Sequence, residues 1–174
     1  MTTYSTSSPV LFIIYNRPET TRQTFEAIKN VQPQRLYIAA DGPKTNKDIP
    51  LCAETKEILQ SINWLCDIKT LFRENNLGCK KAVSSAISWF FDQEEMGIIL
   101  EDDCLPAVDF FIFCDEMLQK YKDKDEISII SGCNFQHGKK RGDFSYYFSH
   151  LTHIWGWASW RRVWNDYSLN MDGY

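Results

Sequence analysis

The chain has 174 residues, a length typical of one domain, and we expect residues 1–174 to form a single unit. Hydrophobic residues make up 44% of the composition and charged residues 24%, which supplies a core and excludes a disordered chain. The formal net charge of −4 argues against a broad surface for nucleic acid or membrane. The basic run Lys139-Lys140-Arg141 lies between glycines and is interpreted as a solvated loop.

The six cysteines point to a reducing compartment. They lie at positions 52, 66, 79, 104, 114 and 133, with no C-x-x-C pair, so zinc spacing is absent. A domain of this size does not need a disulfide framework, and we expect reduced, mostly buried thiols. The N-terminus has no basic region, and its first apolar run is too short for a signal sequence or a transmembrane segment. We therefore expect a cytoplasmic protein, with the inner face of the membrane as the alternative location.

The first half of the chain alternates short apolar runs with amphipathic stretches. Val10–Tyr15 predicts a buried strand, after which Asn16 is a candidate helix cap and Pro18 suits the first turn of that helix. Phe25 and Ile28 continue its apolar stripe, and Pro33 ends it. The next predicted elements are a strand over Arg35–Ala40, a helix from about Leu51 to Trp64, and a strand over Asp67–Phe72.

The second half contains the strongest helix pattern. Apolar residues recur at helical spacing from Cys79 to Phe91, and Ile98–Leu100 then predicts a strand buried on both faces. A packing role is expected for Trp160 and Trp164 in the aromatic tail. The remaining predicted elements are a helix from about Val108 to Lys122, a strand over Ile127–Cys133, and a short strand over Tyr146–Phe148.

This alternation predicts an α/β fold with a mostly parallel central sheet flanked by helices. Ligands of such sheets bind outside the carboxyl ends of the strands. Polar residues follow four predicted strands at that position: Asn16 and Arg17, then Asp41, then Arg73, Asn76 and Gly78, then Glu101, Asp102 and Asp103. Their convergence on one edge predicts a phosphate-bearing ligand held through a metal.

The acidic triplet Glu101-Asp102-Asp103 carries most of the metal prediction. Adjacent carboxylates repel one another, so a compact site needs a compensating positive charge, and a hard divalent cation prefers oxygen ligands. The alternative is an acidic, solvated turn. The sequence contains no dinucleotide-binding fingerprint, no phosphate-binding P-loop and no nucleophile elbow.

Several segments, in order along the chain, carry a resemblance to a known family. They are PVLFIIYNRPET at 9–20, IAADGP at 38–43, NNLGCKKAVSSAISWFF at 75–91, IILEDDCLPAVDFF at 98–111 and HIWGWASWRRVW at 153–164. Together they resemble GT-A type nucleotide-sugar glycosyltransferases, in particular the N-acetylglucosaminyltransferase I family and bacterial family 2-like relatives. The resemblance implies the Rossmann-like GT-A nucleotide-diphospho-sugar transferase fold.

The resemblance also implies a donor site. Asp103 would bind Mn²⁺ or Mg²⁺, Asp102 would face the ribose or donor sugar, and Glu101 would support the same region. Asp41 would accept a hydrogen bond from the base, and Arg17 would approach the diphosphate. The other implied donor-side residues are Asn16, Asn76 and Gly78, with Lys80 or Lys81 nearby. The alternatives are a surface arginine for Arg17, a turn residue for Asp41 and for Asn76, and a solvated helix face for the two lysines.

On the acceptor side, the resemblance implies His153, Trp155, Gly156 and Trp157. Aromatic faces stack on sugar rings, so the two tryptophans are candidates to line the acceptor cleft. For His153 a structural role is the alternative.

The implied reaction is metal-dependent transfer of a sugar from a nucleotide-diphosphate donor, a UDP-sugar, to a hydroxyl of a glycan or glycoconjugate, with inversion. In the family the catalytic base lies in a later W-D-D-W-like stretch. Asp166 and Asp172 do not stand in that context, so we expect the base beyond Tyr174, with residues 1–174 forming the N-terminal part of a longer enzyme.

Two alternatives remain. One is a donor-binding module without turnover, because the acceptor half and the base are missing. The other is a sugar-phosphate nucleotidyltransferase, which would need a glycine-rich basic loop where Asn16–Thr20 stands.

Overall fold

The computed structural model describes residues 4–136, 138–140 and 142–170. Strands and helices alternate through most of it, which agrees with the predicted α/β class. The strands are β1 (Val10–Ile14), β2 (Arg35–Ala40), β3 (Asp67–Phe72), β4 (Met96–Glu101), β5 (Ile130–Ser131) and β6 (Trp157–Trp160). The helices are α1 (Pro18–Val31), α2 (Asp48–Glu57), α3 (Cys79–Phe91), α4 (Val108–Lys120) and α5 (Arg161–Trp164), and a 3₁₀ helix covers Ile58–Ser61.

The six strands form one sheet in the order β3-β2-β1-β4-β6-β5. The first four are parallel to one another, whereas β6 runs antiparallel to both β4 and β5. The mostly parallel sheet flanked by helices is confirmed. Since β1 lies between β2 and β4, its carboxyl end stands in the middle of one edge of the sheet.

The apolar strands are buried because helices cover both faces of the sheet. Phe12 of β1 packs in one cluster with Phe25 of α1 and Phe111 of α4. Leu11, which points to the opposite face, packs in a second cluster with Phe90 of α3. Alternate residues of one strand therefore enter two different cores, which explains why the strand is apolar at every position.

The local prediction around Asn16 is wrong in one respect. The structure confirms Pro18 in the first turn of α1, but no side chain caps this helix. Asn16 instead donates from Nδ2 to Asp48 Oδ1 at 2.7 Å, at the start of α2. The Asn16 side chain, which the sequence assigned to the helix cap, therefore binds a charged acceptor outside α1.

Three other element predictions need correction. The second helix begins at Asp48, earlier than expected, and becomes a 3₁₀ helix after Glu57. The strand expected over Ile127–Cys133 is reduced to Ile130–Ser131. Tyr146–Phe148 is not a strand, and the last strand is β6 in the aromatic tail.

Tertiary contacts explain why Tyr146–Phe148 is not a strand. The Tyr146 hydroxyl accepts a hydrogen bond from Lys120 Nζ and lies 2.7 Å from the Tyr121 hydroxyl. Side-chain docking on the end of α4 thus replaces strand pairing in this part of the chain.

Trp160 is buried as expected, and its indole N–H donates to the carbonyl of Leu118. The expected packing role of Trp160 is confirmed.

All six cysteines are free, and three of them, Cys52, Cys104 and Cys114, are buried. Lys139 and Lys140 are exposed, as expected for a solvated loop, and Arg141 lies outside the described residues. Within the part of the chain that the structure describes, no helix has the length and apolar character needed to cross a membrane.

Candidate functional site

Polar residues follow the neighbouring strands β2, β1 and β4 at the carboxyl edge of the sheet. Ile14 of β1 is in register with Ala40 of β2, and Ile13 is in register with Glu101 of β4. The residues that follow these strands therefore start from the same level of the sheet. This is the arrangement that the sequence pattern predicted from parallel strands.

An arginine bridges the two aspartates of the acidic triplet. The Nη1 atom of Arg17 lies 2.9 Å from Asp103 Oδ2 and 3.4 Å from Asp102 Oδ1. We call Arg17, Asp102 and Asp103 the acid–arginine cluster. Its guanidinium supplies the positive charge that we expected from a metal ion. Repulsion among the carboxylates therefore does not by itself require a metal.

The two aspartates of the cluster have different environments. The Asp102 side chain is 9% exposed and accepts a hydrogen bond from the backbone N–H of Tyr15 at 3.2 Å. The Asp103 side chain is 37% exposed, and its Oδ1 accepts a hydrogen bond from the Trp155 indole N–H at 3.3 Å. Asp102 is thus fixed inside the protein, whereas Asp103 is accessible to a ligand.

Burial also changes the acidity of this region. It raises the pKa of the Asp102 carboxyl above its ordinary value, and the charge of Arg17 opposes that increase. Burial and the neighbouring charges of Asp103 and Asp102 raise the pKa of Glu101. Carboxylates whose charged forms are disfavoured would gain from a ligand that brings additional positive charge.

Asp41 holds the loop between β3 and α3. Its carboxylate is buried and accepts hydrogen bonds from the backbone N–H groups of Leu77 and Gly78 at 3.0 to 3.1 Å. Asn76 Nδ2 also donates to it at 3.0 Å. The structure therefore brings together three predicted donor-side residues, Asp41, Asn76 and Gly78. It shows a structural role for Asp41, and the predicted contact with a base stays a prediction.

Gly42 was not among the predicted site residues, although it follows Asp41 directly. A Cβ atom at this position would lie 2.5 Å from the carbonyl oxygen of Glu74. The close approach of the β3–α3 loop therefore requires glycine here. In the sequence, the glycine directly after Asp41 is the available sign of this close backbone approach.

Thr24 is a second residue that sequence reasoning missed. It is buried in α1 and donates from Oγ1 to the backbone carbonyl of Asp102 at 3.2 Å. This bond ties the helix after β1 to the turn after β4. No sequence signal identifies it, because a threonine beside Phe25 fits the edge of an ordinary amphipathic stripe.

The predicted acceptor-side residues separate in the structure. Trp155 is 59% exposed and reaches Asp103, and Gly156 adopts a positive φ of 71° just before β6. Trp157 is buried in β6 opposite Ile99, so the prediction that it lines a cleft is wrong. A strand position facing the core explains its burial.

His153 is exposed, and its contacts are with residues outside the acidic triplet. Its imidazole packs edge-on against Phe135, with 4.7 Å between the ring centroids. Its carbonyl accepts a hydrogen bond from the Ser131 hydroxyl at 3.0 Å. These contacts agree with the structural alternative for this residue.

The described residues contain no group of three or more His, Cys, Asp or Glu side chains placed to hold a metal ion. A metal at this edge would therefore depend on ligands from a bound molecule in addition to Asp103. Two cavities of about 380 and 670 Å³ lie elsewhere, and neither is lined by a predicted site residue.

The sequence matches no protein-family model and no curated protein. The structure is similar to a solved 4-diphosphocytidyl-2C-methyl-D-erythritol synthase from Anaerococcus prevotii, with a TM-score of 0.52 and 13% sequence identity. The similarity covers 90% of this chain and 71% of that chain. It shows a shared α/β fold with a mostly parallel sheet flanked by helices.

Proposed function

We propose that the carboxyl edge of this sheet binds a nucleoside diphosphate linked to a sugar, and that the protein takes part in transferring that sugar to an acceptor hydroxyl. The observation that carries the proposal is the acid–arginine cluster, in which Asp102 is buried and Asp103 is accessible to a ligand. A phosphate-bearing ligand needs positive charge, and Arg17 and a divalent cation on Asp103 are suitable partners.

The residues at this edge fit a Mn²⁺ or Mg²⁺ ion held by one protein carboxylate. Asp103 is accessible, and Mg²⁺ in particular is commonly bound by one or two carboxylates together with substrate phosphates and water. The ion would supply positive charge to the departing diphosphate.

The chain's own residues would orient the donor. Asp102 is fixed by Tyr15 N–H and lies 3.4 Å from the Arg17 guanidinium, so it limits the positions that Arg17 can take. If metal binding occupies Asp103, Arg17 loses its shorter contact and becomes available to phosphate oxygens. Trp155, at the other oxygen of Asp103, would stand beside the sugar.

The metal assignment is tested by calorimetry with UDP, in the presence and absence of Mn²⁺. We expect metal-dependent binding by the wild type and a loss of affinity of at least about a hundredfold in Asp103→Asn, since even residues that only orient a metal ligand contribute ten- to a hundredfold. The isosteric amide keeps the shape of the side chain while removing the charge.

Asp123→Asn is the matched control, because Asp123 is an exposed acid in the turn after α4. It should bind UDP as the wild type does. If Asp103→Asn retains metal-dependent UDP binding of wild-type strength, Asp103 is not the metal ligand.

Nucleotidyl transfer from a nucleoside triphosphate to a sugar phosphate is the second candidate function, and the structural comparison favours it. The similar solved structure is named as an enzyme that makes a diphosphocytidyl compound. The sequence after β1, Asn16–Thr20, lacks the glycine-rich basic loop expected for that reaction. The two candidates share a nucleotide at the same edge of the sheet and differ in their products.

A further inference from the structure

The connection between β5 and β6, residues 132–156, differs in charge from the rest of the protein. It contains three basic residues and one acid, a formal charge of +2. The other residues of the chain include 16 basic and 22 acidic residues, a formal charge of −6. We call residues 132–156 the basic connection.

The basic connection also exposes large apolar side chains. Phe144 is 82% exposed and Leu151 is 81% exposed, so both side chains lie almost fully in water. Four further side chains of this connection are more than half exposed: Phe135, Phe148, Ile154 and Trp155. Exposed apolar residues that occur singly are ordinary, whereas six within one connection of 25 residues are unusual for a solvated loop.

This surface is attached to the folded body. Tyr146 packs its ring against Phe113 of α4, with centroids 5.9 Å apart, and its hydroxyl contacts Lys120 and Tyr121. Phe148 packs edge-on against Tyr121. The anchor residues therefore hold the connection at the end of α4, while Phe144 and Leu151 point to solvent.

We propose that the basic connection docks on the surface of an anionic lipid bilayer. Lys139 and Lys140 match the negative charge of the headgroups, and the phenyl, leucine and isoleucine side chains match the boundary between headgroups and acyl chains. Aromatic residues are favoured at that depth. The acidic remainder of the protein would be repelled by the same membrane, which orients the molecule with this connection toward the lipid.

The alternatives fit less well. Nucleic acid would be bound through aligned cations and stacked rings, whereas Leu151 and Ile154 offer neither charge nor a ring.

Docking at the connection would place the bilayer beside Asp103, because Trp155 belongs to the connection and contacts that carboxylate. The membrane proposal does not depend on the reaction proposed above, since it rests on the connection alone.

The test is flotation of the full chain with vesicles of phosphatidylcholine, alone or mixed with phosphatidylglycerol. We expect binding to the anionic vesicles, weaker binding at high salt, and little binding to phosphatidylcholine alone. The variant Phe144→Ser with Leu151→Ser should bind about tenfold or more weakly, because two apolar side chains no longer insert. The variant Lys139→Glu with Lys140→Glu should bind about thirtyfold or more weakly.

The matched charge control is Lys80→Glu with Lys81→Glu, two consecutive exposed lysines outside the connection, and the matched apolar control is Leu65→Ser, which is 98% exposed. Both should float as the wild type does, and circular dichroism verifies that every variant is folded. Equal flotation of all variants, or no flotation of the wild type, would overturn the proposal. If the wild type self-associates without lipid and the variant Phe144→Ser with Leu151→Ser does not, the surface belongs to a second copy of the chain instead. Binding to single-stranded nucleic acid in place of vesicles would also overturn the membrane proposal.

Discussion

At the scale of single residues, Arg17 changes the interpretation of the acidic triplet. The sequence argument placed a metal among three mutually repelling carboxylates, because a compact acidic site needs positive charge and a hard divalent cation prefers oxygen ligands. The structure brings Arg17 from the turn after β1 to within 2.9 Å of Asp103 and 3.4 Å of Asp102. Part of the negative charge is therefore compensated before any ligand arrives, and a metal would exchange with an internal cation rather than enter a purely negative site.

Asp102→Asn should make the protein more stable at pH 7, by about 1 kcal/mol, because it removes a charge that burial disfavours. Burial raises the pKa of Asp102 in the folded state. The folded state therefore binds the proton of Asp102 more tightly than the unfolded state does. The stability that comes from this tighter binding is lost as the pH rises from the unfolded-state pKa through the folded-state pKa. Urea unfolding at pH 4 and pH 7 measures the effect.

The stability difference between Asp102→Asn and the wild type should be larger at pH 7 than at pH 4. Asp123→Asn, at an exposed position, should show no such difference. A variant that is less stable than the wild type at pH 7 would mean that the contact with Arg17 outweighs the cost of burial.

At the scale of elements, β6 determines which aromatic residues reach the site. Its antiparallel pairing with β4 sets Trp157 opposite Ile99, so the chain before β6 arrives at the carboxyl end of β4. That geometry brings Trp155 to Asp103 and buries Trp157 in the core. The sequence placed both tryptophans at the site because it gave no strand at this position, and without a strand the alternation of faces could not be assigned.

A second element-scale contact joins the N-terminal segment to α4. The buried carboxylate of Asp115 accepts hydrogen bonds from the hydroxyls of Tyr4 and Thr6 and from the backbone N–H groups of Ser7 and Ser8, at 2.5 to 3.0 Å. Burial alone would raise the pKa of Asp115, but these hydrogen bonds together lower it. The charged form is thus the one that stabilises the fold.

Asp115→Asn should lower the free energy of unfolding at neutral pH by about 2 kcal/mol, the usual range for hydrogen bonds to a charged group. Because the folded pKa lies below the unfolded value, this stability is present above the unfolded value and is lost as the pH falls through the folded value. The wild type and the variant should therefore converge in acid, as measured by urea unfolding at pH 7 and below pH 4.

Glu116→Gln is the control for this measurement, because Glu116 is the exposed neighbour on the same helix. It should leave the free energy of unfolding within about 0.5 kcal/mol of the wild type. A difference for Asp115→Asn that stays constant with pH would indicate lost packing rather than a lost charge.

At the scale of the whole molecule, the fold is compatible with both proposed transfers and does not choose between them. The solved structure with similar architecture shares 13% of its residues with this chain, which supports the fold alone. The proposal of glycosyl transfer comes from the resemblance in residues 98–111, whereas the proposal of nucleotidyl transfer comes from the name of the similar solved structure. The products of the protein decide between them.

The decisive assay supplies the protein with a UDP-sugar and, separately, with a nucleoside triphosphate and a sugar phosphate, both with Mn²⁺. Glycosyl chemistry predicts release of UDP from the first mixture, by transfer or by slow hydrolysis, and no pyrophosphate from the second. Asp103→Asn should lower the rate at least about a hundredfold, since the charge on the departing diphosphate is then less stabilised. Asp123→Asn should retain the wild-type rate.

Formation of a nucleotide sugar with release of pyrophosphate would instead establish the second candidate. Metal-dependent UDP binding with no product in either mixture would favour a donor-binding module. Each outcome separates one of the three interpretations that the sequence left open.

The sequence by itself determined the α/β class, the parallel strands β1 to β3 and the helix over Cys79–Phe91, because hydrophobic periodicity and strand-end positions are local properties of the chain. It also brought Asp41, Asn76 and Gly78 to one edge through the rule for parallel sheets. Only the tertiary structure decided that Arg17 lies on the acids, that Asn16 binds Asp48, and that Trp155 rather than Trp157 reaches the site. Those contacts join residues that are 32 to 86 positions apart, and no local pattern records which long-range partner a polar or aromatic side chain takes.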